Sequence, residues 1–184
     1  MEQFNPRARR DAYGNKINRD HSPVLAHGIP WATILIGSLT PMLPVIAAAP
    51  VLPPMGLMFL IAWHLLRPGL LPLWAGLPLG LFDDLYSGQP FGSGIMLFSL
   101  TLIALDLLEM RFPWRSFWQN WLAAAAIIIT YLLVAALVSG AQMTLLRMGV
   151  IAPQLLLSIV LFPIIASIVA LLDRIRLLRV RRIG

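Results

Sequence analysis

The chain has no cysteine in its 184 residues, which removes a disulfide framework, a thiol nucleophile and any cysteine-ligated metal. Charge is scarce as well. Only 12% of residues are Asp, Glu, Lys or Arg, against 59% hydrophobic, whereas ordinary soluble domains carry about 25% charged residues. A chain of this length cannot hide so much apolar surface inside one small core, so the bilayer must serve as its solvent. There is no phosphate-cradling P-loop, no H-E-x-x-H and no G-x-S-x-G elbow. An aspartate-rich membrane phosphotransferase would need more acids in register than this sequence holds. No segment outside the apolar runs is long enough for a catalytic domain. These absences point away from an enzyme, and from any cofactor or metal centre.

What charge there is lies mostly at the ends. Arg7, Arg9, Arg10, Lys16 and Arg19 precede the first apolar run, and Arg174, Arg176, Arg179, Arg181 and Arg182 follow the last. The net charge of +6 therefore reads as topology signal and contact with anionic lipid headgroups rather than nucleic-acid binding. Residues 1–28 form a basic cytosolic tail without hydrophobic periodicity, expected to be disordered. Residues 29–172 form a polytopic transmembrane domain, and 173–184 a basic cytosolic end that extends the last helix. The basic leader, apolar run and Ala47-Ala48-Ala49 imitate a secretory signal. The leader is long and contains acids, and Pro41 and Pro44 interrupt the apolar core, so a retained first span is expected.

The apolar runs place spans at 29–49, 54–67, 69–86, 93–110, 118–140 and 149–172, each to be compared with the roughly 20 residues a crossing helix needs. The second is short, with a start blurred by Pro50-Val51-Leu52-Pro53-Pro54. The first is expected to kink at Pro41 and Pro44. With six spans and both ends cytosolic, 13 of the 14 basic residues fall inside and Arg147 alone outside, as the positive-inside rule requires. The fold class is thus an all-α integral membrane protein of six transmembrane helices with cytoplasmic termini.

The most informative stretch is Leu73 to Gly94, LWAGLPLGLFDDLYSGQPFGSG. Gly76, Gly80 and Asp84 follow one another at four-residue spacing and line one stripe of a helix. Small residues so placed suit close approach by another helix. Asp83 and Asp84 end the apolar run on the outward side. An acid within a membrane helix costs about 2.5–3.5 kcal/mol at mid-span and invites a functional reading. The simpler reading is a polar helix end that organises the following glycine-rich turn by accepting backbone N–H bonds. Elsewhere, Asp106, Glu109, Arg111 and Arg115 read as an interfacial ion-pair patch with snorkelling arginines. His64 and Arg67 also read as interfacial. Trp114, Trp118 and Trp121 read as a headgroup belt.

The central stretch, with Gly76, Gly80, Asp84, Gly88 and Gly92 in a G-x-x-x-G-x-x-x-D-x-x-x-G-x-x-x-G progression, resembles the MreD family of rod shape-determining membrane proteins. Trp74 before it and Pro90-Phe91-Gly92 within it strengthen the likeness, while Asp83 beside Asp84, Pro78 and the long basic head depart from it. The resemblance implies a fold similar to the six-helix substrate-binding subunits of ECF-type vitamin transporters. It also implies a bacterial inner-membrane scaffold of the cell-elongation machinery, a partner of MreC and through it of MreB, RodA and a class B penicillin-binding protein. On this reading Gly76, Gly80, Asp83, Asp84, Gly88 and Gly92 bind a partner helix or shape an outward cavity. The alternative is a small-molecule, vitamin-type binding subunit of a transporter. Few polar residues are present to grasp a solute, which favours the scaffold.

Overall fold

The apolar runs become six α-helices. A computed structural model describes residues 19–21, 23–43, 52–112, 116–140, 145–176 and 179–181. Its helices are α1 (Pro23–Ser38), α2 (Met55–Leu66), α3 (Gly76–Tyr86), α4 (Ser93–Arg111), α5 (Phe117–Val138) and α6 (Leu145–Arg176). Short 3₁₀ turns occupy Thr40–Met42 and Leu73–Ala75. Two three-residue strands, β1 (Arg19–His21) and β2 (Arg179–Arg181), pair antiparallel with Asp20 opposite Val180. That small ribbon marks one end of the bundle, called here the terminal pole. The opposite end, where α3 turns into α4, is the turn pole.

The helices differ in what they bury. α2 is apolar on all sides, which is the signature of a buried helix. Leu57, Met58, Leu60, Ile61 and Trp63 are fully enclosed, and α2 packs against α1, α4, α5 and α6. At 12 residues it spans only about 18 Å, and it is the hub rather than a full crossing. By contrast, Ser93–Arg111, Phe117–Val138 and Gly149–Arg176 are long and apolar enough to cross a membrane. These helices leave apolar stripes uncovered, as with Leu156, Val160, Ile164, Ile168 and Leu171 along α6. Spaced by three or four residues, they share one face, and such a face belongs against lipid.

Three expectations change. The first helix begins at Pro23, ahead of residue 29, and stops at Ser38 instead of kinking at Pro41. Thr40 precedes that proline, and the residue before a proline is disfavoured in α geometry, so the chain tightens into a 3₁₀ turn. Pro44 and Ala47-Ala48-Ala49 lie outside the described residues, as do residues 1–18. Within α1 the tolerated proline is Pro30, whose carbonyl accepts the Thr33 hydroxyl at 2.9 Å. The third helix starts at Gly76, so Pro78 falls in its first turn, where backbone N–H groups have no helical acceptor to lose. Finally, His64 is not interfacial. It is 2% exposed, with Nε2 3.0 Å from Asp106 Oδ1, so the fourth helix supplies the carboxylate its burial requires.

Candidate functional site

The stripe read from the sequence is real, and α4 of the same chain fills it. A Cβ at Gly76 would come within 2.8 Å of Ser99 Cα, and one at Gly80 within 2.6 Å of Ile95 Cα. Real Cβ atoms do not approach so closely, so these glycines exist to let two backbones touch. Leu77, Leu81 and Leu85 occupy the opposite, exposed side of α3.

Asp84 then binds the turn that joins the two helices. Its Oδ2 accepts from Gly92 N–H at 2.8 Å and its Oδ1 from Gly94 N–H at 2.6 Å. Longer contacts come from the Ser93 hydroxyl and Ile95 N–H, both at 3.4 Å. These are the unpaired amides of the first turn of α4, where negative charge is stabilised by the helix dipole. The carboxylate therefore caps a helix from outside it. Gly88 and Gly92 serve differently from Gly76 and Gly80. A Cβ on either would meet nothing, but their φ angles are +67° and +94°, a left-handed conformation that glycine alone adopts without strain. Of the two adjacent acids, Asp84 is the one that organises the glycine turn.

Asp83, one residue earlier, is 8% exposed and faces elsewhere. With Ser38, Ser87, Gln89, Tyr131 and Gln154 it lines a cavity of about 90 Å³ above the first turn of α2. The Ser38 hydroxyl faces the Asp83 carboxyl without closing a well-formed hydrogen bond, and it is 2% exposed. Gly56 makes room for that hydroxyl, since a Cβ there would collide with it. Gln154 is fixed by donating to the Leu52 carbonyl at 2.7 Å.

The terminal pole holds a second polar centre that sequence reading missed. Arg67 donates from Nε and Nη2 to Asp173 Oδ2 at 3.1 and 2.8 Å. Arg176 reaches Asp173 Oδ1 at 3.0 Å and the Ala26 carbonyl at 3.0 Å, and its guanidinium lies 5.8 Å from the Trp63 ring centre. Trp63 in turn donates to Thr33 at 2.8 Å. Arg67, expected at an interface, is half exposed and also ties the end of α2 to α6. The available signal was Asp173 itself, the lone acid among basic residues, with Arg176 one turn on. Trp118 is exposed and stacks edge-on against Trp121 at 5.7 Å; Trp114 and Arg115 lie outside the described residues.

Two apolar grooves lie elsewhere among the described residues. One, of about 390 Å³, runs between α4 and α5 and includes Thr101, Ala104, Ala123, Ala126 and Thr130. The other, of about 270 Å³, lies between α2, α5 and α6 near Leu66, Phe117 and Ala170. Among the described residues no three His, Cys, Asp or Glu side chains converge as a metal set.

Comparison with known proteins gives a family but no individual relative. No curated protein and no solved structure matches the chain. The family model described as rod shape-determining protein MreD matches residues 25–176, a region that runs from the first turn of α1 to the last residue of α6 and takes in the glycine–aspartate turn. With most of its length so matched, the chain belongs to the MreD family of rod shape-determining proteins.

Proposed function

We propose that this chain is a non-catalytic scaffold of the bacterial cell-elongation complex, resident in the cytoplasmic membrane and docking MreC so that lateral-wall peptidoglycan synthesis is positioned. The family match over residues 25–176 carries the reading. Both termini face the cytoplasm, because that orientation keeps 13 of the 14 basic residues on the positive side of the topology rule. The turn pole then faces outward. MreB, RodA and a class B penicillin-binding protein are reached through MreC, and the basic ends rest on anionic lipid.

The geometry supports a particular docking face. Because α4 fills the Gly76–Gly80 stripe, those residues and Asp84 act on a partner by fixing where α4 stands. α4 is one wall of the groove whose small residues Ala104, Ala123 and Ala126 suit close backbone approach by a single membrane helix. A vitamin-sized solute is less well served: ligand pockets usually measure about 300–1,000 Å³ and carry a few placed polar groups, whereas the groove of about 390 Å³ is apolar and the polar cavity measures about 90 Å³. Replacing Ala126 by Trp should abolish co-purification of MreC while leaving the membrane level of the protein unchanged. Val160→Trp on the lipid stripe of α6 should have no such effect. Full recovery of MreC with Ala126→Trp would remove the groove from the docking reading.

A further inference from the structure

The cavity at the turn pole is a built site whose charge the helix-capping role of Asp84 does not explain. Its one carboxylate lining group is Asp83, 8% exposed. Among the described residues the other polar side chains lining it are the hydroxyls of Ser38, Ser87 and Tyr131 and the amides of Gln89 and Gln154, with no lysine, arginine or histidine. The Ser38 and Ser87 hydroxyl oxygens are buried without a hydrogen-bond partner. Elsewhere the chain matches buried acids with its own groups: Asp173 with two arginines and Asp84 with backbone amides. Among the described residues lining the cavity Asp83 has only hydroxyls and amides around it, and buried charge is retained when it is paired. Asp84, adjacent in sequence, adds negative potential to the same region.

We propose that this cavity binds one small monovalent cation, of the size of a sodium ion to a methylammonium ion, with Asp83 as the charge partner and Ser38 as a neutral oxygen ligand. Size and charge both set the class. A volume of about 90 Å³ is several times the roughly 10–15 Å³ that one water requires, which admits a small ion with a few waters. One carboxylate balances one positive charge. A calcium ion takes about six to eight oxygens, several of them carboxylate, and no three acidic, histidine or cysteine side chains converge among the described residues. Ser38 sits at the end of α1, Asp83 on α3, and Tyr131 and Gln154 on α5 and α6. A cation here therefore joins α1 to α3, beside α5 and α6.

The test is the thermal unfolding midpoint of the purified full-length protein in detergent. Sodium, potassium or methylammonium chloride is titrated in, with chloride and ionic strength held constant by N-methylglucamine chloride, whose cation exceeds the cavity. At least one of the three should raise the midpoint saturably, and which one does so identifies metal ion or amine. Asp83→Asn should abolish the saturable rise, and Ser38→Ala should raise the half-saturating concentration severalfold. A midpoint indifferent to the identity of the cation, or a saturable rise that persists in Asp83→Asn, overturns the proposal. If Asp83→Asn fails to fold, Ser38→Ala decides, and an unchanged half-saturation overturns it.

Discussion

At the terminal pole a buried acid is held by side chains from distant parts of the sequence, whereas at the turn pole a buried acid is held by the backbone next to it. Asp173 gathers Arg67 from α2 and Arg176 from its own helix, and Arg176 continues to the Ala26 carbonyl on α1. Asp84 gathers the amides of Gly92 and Gly94, within ten residues. The first arrangement joins three helices and needs the whole chain to have folded. The second forms with a single helix hairpin and fixes the angle at which α3 meets α4. A third acid, Asp83, has neither arrangement, and that contrast is what makes it informative.

The contrast can be broken most strongly at the terminal pole. Asp173→Ala leaves Arg176 buried and unpaired, and removing one member of a buried pair costs about 3–5 kcal/mol. Arg67 is half exposed and recovers water, so the lower part of that range is expected, read as a drop in unfolding free energy in detergent. Asp84→Ala should cost about 3 kcal/mol, because hydrogen bonds to a charged group are worth about 1.5–3 kcal/mol each. Its signature should be local, with faster amide exchange in the first turn of α4 and little change in α6. Gly92→Ala should cost about 1–2 kcal/mol, the penalty of a left-handed conformation for a residue with a Cβ, measured in the same unfolding assay. Asp83→Asn, assayed in N-methylglucamine chloride, should be neutral or stabilising by up to about 1 kcal/mol, because it removes the cost of burying an unpaired charge. A large loss there would erase the distinction between the two adjacent acids.

How much of this was legible depended on sequence distance. The six apolar runs and the four-residue spacing of Gly76, Gly80 and Asp84 are local patterns, and they became helices and a packed stripe. The turn role of Asp84 was also readable, because its acceptor geometry involves glycines a few residues on. What covers the stripe was not readable, since small residues fit a helix of the same chain or of another equally well. The Arg67–Asp173 pair joins residues 106 apart in sequence, and Arg176 reaches one 150 away; no periodicity carries that information. His64 misled for a related reason. Near the end of a short run it resembles an interfacial residue, and only the discovery that α2 is enclosed by four other helices makes it a core residue in need of Asp106.

The shortness of α2 also has an electrical meaning. A helix of 12 residues covers about 18 Å, while the hydrocarbon layer measures about 30 Å, and each end of α2 opens on a polar centre. Where water reaches both centres, the membrane voltage falls across the shorter distance. The field along the axis of α2 is then steeper than in the surrounding bilayer by a factor of roughly 1.7. A full unit charge carried across 100 mV changes energy by about 2.3 kcal/mol, and a charge displaced along the axis of α2 would meet that drop over about 18 Å instead of about 30 Å.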